Sequence, residues 1–188
     1  MIQCIYLSQV KINFSLNPFI MNFAALIVAA LVPMALGFIW YNPKVFGKAW
    51  MAASGMTDEK MKGGNMALIF GLSFLFSLIL AFSMNTIAIH DGFIDGATFY
   101  ATGGTMKPEA GSELAKWVEY YHTNLAASNH TFSHGAFHGV FIAGLLVVLP
   151  VFATNALFER KSFKYVAVNV GYWIICLGIM GGIIAVWR

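Results

Sequence analysis

The chain has 188 residues, of which 59% are hydrophobic and only 10% charged, and its mean hydropathy is +0.72. Soluble domains carry about 25% charged residues, so a water-facing fold of this length would lack polar cover for its own surface, and lipid must supply it. The formal charge of +3 is small and scattered, which excludes the concentrated basic face that nucleic-acid binding requires.

Residues 1–20 lack the charged start, apolar middle and small-residue cleavage site of a secretory signal. They read as an N-terminal extension ahead of a single four-span membrane domain over 21–188, whose first span opens at Met21-Asn22. Crossing the hydrocarbon takes roughly 20 apolar residues. Four stretches meet that requirement, at about 23–41, 66–89, 140–158 and 165–187. Trp40, Tyr41, Phe158 and Trp187 end spans with aromatics that suit the interface, and Pro33 and Pro150 predict kinks. The expected fold class is all-α: an integral membrane four-helix bundle with an amphipathic helix in the long outer loop.

After the first span, Asn42 and Pro43 suit the cap and first position of a short helix, which Gly55 ends. Thr57 can cap a further turn through Met61, and Gly63-Gly64 breaks the chain before span two. Phe46, Trp50 and Met51 are expected on lipid headgroups, with Lys44 and Lys48 toward anionic lipid.

The outer loop, 90–133, holds five carboxylates against two lysines. Asp91-Gly92, Asp95-Gly96 and Gly103-Gly104 make its first half turn-rich. From Pro108 to about Ser128, Leu114, Trp117, Val118, Tyr121 and Leu125 recur at helical spacing, as in a surface helix or a lid.

The loops also carry the sidedness signal. Lys44, Lys48, Lys60, Lys62, Arg160, Lys161 and Lys164 place seven basic residues on one side, against four on the other: Lys11, Lys107, Lys116 and Arg188. The positive-inside rule puts the first side in the cytoplasm, with both termini and the long second loop outside a plasma (inner) membrane. The basic-aromatic turns at 44–48 and 161–164 resemble each other, which the same rule explains without duplication.

Within the spans, Ser73, Ser77, Ser83, Asn85, Thr154, Asn155 and Asn169 can hydrogen-bond between helices. No charged residue lies at mid-membrane, which counts against an ion-coupled transporter. Gly178 and Gly182 permit close helix approach, within the chain or across a dimer. Cys4 and Cys176 fall in different environments, which argues against a disulfide.

The run Phe38-Ile39-Trp40-Tyr41-Asn42-Pro43-Lys44-Val45-Phe46-Gly47-Lys48-Ala49-Trp50-Met51, with Leu157 to Ser162 leading to Gly171-Tyr172-Trp173, resembles the small bacterial membrane proteins catalogued as domain of unknown function 1761. The resemblance covers roughly Met21 to Trp187. It implies a bacterial inner-membrane protein with about four spans, and it implies no activity. The long outer loop and residues 1–20 exceed the family's core.

All five histidines, His90, His122, His130, His134 and His138, fall on the outer side. His130, His134 and His138 are four apart, a spacing that lines one face of a helix. His90 closes span two at the depth where His138 opens span three, with Asp91 and Asp95 beside it. His90, His130, His134, His138 and Asp91 are therefore the candidate metal ligands, for zinc or copper. A b-type haem between His90 and His134 or His138 is a narrower reading. Against both stand interfacial histidines bonded to water and backbone, with Gly135 and Gly139 serving helix contact, and a patch titrating near pH 6.5. No His-Glu-x-x-His, Gly-x-Ser-x-Gly or phosphate-binding glycine loop occurs, and the histidines are too few for an iron-dependent membrane hydroxylase.

These features favour a non-enzymatic membrane component that binds or assembles with something, the bilayer aside: a homo-oligomer or a membrane-protein partner. The alternatives are a transition-metal binding or handling protein and a small oligomeric transporter.

Overall fold

The computed structural model describes residues 21–187, and the expectations for residues 1–20, for Cys4 and for Arg188 lie outside them. Every regular element among the described residues is helical. Four helices are long and apolar enough to cross a membrane: Phe23–Trp40, Met66–Ala88, Phe132–Phe158 and Phe163–Val186. The first is α1, capped by Asn22, whose side chain accepts from the Ala25 N–H.

Two short helices follow, α2 (Gly47–Ser54) and α3 (Asp58–Lys62). Gly55, at φ +76°, ends α2 in the left-handed region, and the Thr57 hydroxyl caps α3. The expected start at Asn42-Pro43 is corrected. Asn42 Oδ1 accepts from the Lys44 N–H in a tight turn, and the helix begins only at Gly47. Gly47 has no room for a side chain, because a Cβ there would run into the Tyr41 and Asn42 main chain.

α4 (Met66–Ala88) leads straight into α5 (Asp91–Ala101). The turn-rich reading of this stretch is therefore corrected for its first eleven residues. Asp91 favours a helix start, and Ile94 and Thr98 give the segment a buried face, which outweighs the helix cost of Gly92 and Gly96. The Gly103-Gly104 turn does form, both residues at positive φ.

The second half of the loop is helical as expected: α6 (Glu113–Tyr120), a π-helical turn (Tyr121–Leu125) and α7 (Ala126–Asn129). Of the predicted apolar stripe, Val118 and Tyr121 are buried against Ile94 with Leu114 beside them, whereas Trp117 and Leu125 stay exposed.

The third apolar helix starts earlier than position 140. It runs as α8 (Phe132–His138), a π-helical stretch (Gly139–Val148) and α9 (Leu149–Phe158), and so carries His134 and His138 in its first turns. Pro150 lies just beyond the π stretch, inside the continuous third apolar helix, where neighbouring helices can satisfy the carbonyl its missing N–H frees.

α10 (Phe163–Val186) is the centre of the packing and touches α1, α2, α4, α8, α9 and the π stretch. Of its apolar window 56% is buried, against 11–28% for the other three, although it is the least hydropathic. Its small residues account for this. Gly181 lies against the Gly135 main chain, and Gly139 lies against the carbonyl of Leu177. Gly178 meets Val140, and Gly182 meets the Phe132 ring. Thus Gly135, Gly139, Gly178 and Gly182 all serve packing within the chain. The outward faces carry Phe76, Leu146 and Phe158 at 61%, 68% and 86% exposure, an apolar surface that a membrane would cover.

At the end bearing the basic loops, the aromatic motif ties α1 to α10. Trp40 Nε1 donates to the Val168 carbonyl (3.1 Å), and the Tyr41 hydroxyl donates to Asn169 Oδ1 (3.2 Å). The Tyr172 hydroxyl donates to the Pro33 carbonyl (2.6 Å). Trp50 packs edge-on against Tyr41 (ring centroids 5.3 Å) and Phe46 against Trp40 (4.4 Å). Trp40, Tyr41 and Trp50, near the end of the first apolar helix, therefore brace the fold, because each ring finds a partner within the chain.

Candidate metal centre

At the opposite end, three histidines meet. His90 leaves the end of α4, while His134 and His138 project from successive turns of α8. Each offers a ring nitrogen, and these atoms all lie within 4.8 Å of one another. The ring centroids are 5.0 Å (His90–His134), 5.1 Å (His90–His138) and 4.3 Å (His134–His138) apart. His90 is exposed, and the other two are half-buried.

The local sequence dictates this placement. Thr131 adopts extended backbone, and its hydroxyl accepts from the His134 N–H, so a new helix starts at Phe132. The spacing of four then puts His134 and His138 on one face. Gly135, with Gly139 at the start of the π stretch, lets this segment press against α10 on the other side.

Hydrogen bonding fixes one of the rings. His138 Nδ1 lies 3.0 Å from the His134 carbonyl, and a carbonyl can only accept, so Nδ1 carries a proton and, in the neutral ring, Nε2 keeps its lone pair. A backbone carbonyl behind a ring nitrogen is the usual support of a metal-binding imidazole. His134 Nε2 is buried with no hydrogen-bond partner. An unpaired buried nitrogen costs roughly 1–3 kcal/mol, a cost that a bound cation would remove.

The other two predicted ligands are placed beside the trio, on each other. His130 Nε2 lies 3.1 Å from both carboxylate oxygens of Asp91. An ionised carboxylate only accepts, so this nitrogen is the donor. Asp91 is buried and also accepts from the Tyr121 hydroxyl at 2.7 Å, while Asn129 Nδ2 donates to that hydroxyl at 3.3 Å. His130 lies outside the helix of His134 and His138, because its backbone (φ −91°, ψ 47°) forms the break before α8. The single face expected for His130, His134 and His138 therefore reduces to two residues.

Tyr121 and Asn129 are the functional neighbours that the sequence did not reveal. Tyr121 registers there only as one apolar position in a stripe, and nothing local points to Asp91. The narrower haem reading pairs His90 with His134 or His138, whose ring centroids lie 5.0 Å and 5.1 Å from that of His90.

A separate cavity of about 660 Å³ opens between α1, α4 and α10, lined by Pro33, Gly37, Ser73, Ser77, Tyr172, Trp173 and further apolar residues. Its lining holds no histidine and no charged side chain.

No curated protein and no solved structure matches this chain. A family match spans residues 24–185 and takes in the aromatic motif, all five histidines and nearly the whole of the four apolar helices. The chain belongs to the family described as "Protein of unknown function (DUF1761)".

Proposed function

We propose that this protein is a four-helix membrane bundle that binds a transition metal, zinc or copper, through His90, His134 and His138. The observation that carries the reading is the convergence of three ring nitrogens, with His134 Nε2 buried and unpartnered in the same cluster. Imidazole suits both metals, and three neutral nitrogens from two helices match a three-protein-ligand site. Asp91 and His130 act beside it as a brace that holds α5 and the outer loop over the site. The basic loops face the cytoplasm of a plasma membrane, which leaves the histidines and the long loop outside. The helix Glu113–Tyr120 is amphipathic in this arrangement, with Val118 toward the protein and Trp117 and Tyr120 toward the membrane interface.

The test is elemental analysis of detergent-purified protein equilibrated with zinc or copper and then freed of excess. The wild-type chain and His122→Ala should each hold about one metal per chain, and the triple variant His90→Ala/His134→Ala/His138→Ala should hold none. Equal metal content in wild type and triple variant sinks the reading.

A further inference from the structure

The donor set at the histidine end is incomplete for a closed tetrahedral site. The converging ligand atoms belong to three imidazoles, with no carboxylate among them. The nearest acid in sequence, Asp91, follows His90 directly, but its two oxygens are engaged by His130 and Tyr121. His138 has its Nδ1 committed to a carbonyl, so it offers one nitrogen and cannot bridge. His90, at the end of α4, is exposed, so the cluster is open to solvent there. Structural zinc sites close with four protein ligands, whereas three leave a position for water or an added ligand. Three neutral imidazoles also bring no negative charge into the ligand shell of a divalent ion, which favours an anion in that position.

Resting on the reading of the trio as a metal centre, we propose that the site keeps one coordination position open toward the outer solvent and takes a small anion there. The exchange is a simple substitution. The lone pair of the anion takes the position, the metal–water bond breaks and the water leaves, with no change in oxidation state. Cation charge and an uncharged ligand shell select for anionic over neutral donors.

Cobalt(II) reports this directly, since its visible bands follow coordination number and ligand type. The full-length protein in detergent is loaded with cobalt(II) and titrated with azide, alongside His134→Ala/His138→Ala and Asp91→Asn. The expected result is a visible spectrum that the double variant lacks and that shifts saturably with azide in the wild type. A spectrum that depends on the two histidines yet ignores azide overturns the open position while leaving the metal reading intact. A response confined to Asp91→Asn also overturns it, because the Asp91 carboxylate then fills the fourth place. Spectra identical in wild type and double variant remove the metal reading itself.

Discussion

Tyr121 and Asp91 are thirty positions apart in the chain and 2.7 Å apart in space, and the carboxylate between Tyr121 and His130 is buried. Removing the phenol hydroxyl leaves that acid short of a donor in a place water does not easily reach. Tyr121→Phe should therefore cost about 1–3 kcal/mol, seen as earlier thermal unfolding in detergent, while metal stoichiometry stays at the wild-type value. Retained stability would show that the brace contributes nothing. The histidines themselves are half legible in the sequence. Spacing on a helix and matching span ends locate His90, His134 and His138, because periodicity and membrane depth are local properties. The fate of His130 is not legible there. It turns on whether the helix continues through 130–131, and the Thr131 cap decides that it does not.

The short elements follow the same division. Gly55, Thr57 and Gly63-Gly64 punctuate the first loop as their chemistry dictates, and α2 and α3 fall between them. Aromatic residues near a span end suit both an interface and a tertiary contact, so only packing separates a headgroup anchor from a brace. With Trp40, Tyr41 and Trp50 engaged inside the chain, Tyr41→Phe should remove one interhelical hydrogen bond at about 0.6 kcal/mol. Gly47→Ala should cost more, about 1–3 kcal/mol, since its methyl meets the Tyr41 and Asn42 main chain. Thermal unfolding of the two variants side by side checks the order, and a silent Gly47→Ala would mean that α2 is not held against the bundle. The π-helical stretch Gly139–Val148 has no sequence signal that periodicity could detect, because its widened turns blur the spacing of 3.6 on which such patterns rest.

For the molecule as a whole, the balance of basic residues predicts that its two ends lie on opposite sides of the membrane. In intact cells, Tyr100→Cys in a Cys4→Ser background should react with an impermeant maleimide, and Lys48→Cys should react only after permeabilisation. The reverse pattern would invert the assigned orientation. Apolar length makes the four helices that could cross a membrane plain from sequence. The central place of α10 is not plain there, since it is the least hydropathic of the four and packs through small residues instead.

Gly135 and Gly181 touch main chain to main chain, with no side chain between them to yield. The height and azimuth of the imidazole pair are thus dictated by a neighbouring segment that contributes no ligand. Gly181→Ala pushes a methyl into the Gly135 carbonyl, so the third apolar helix, which carries His134 and His138, must shift against α10. Under the proposed metal reading, capture should respond to this far wall of the protein, at a position chemically inert toward any cation.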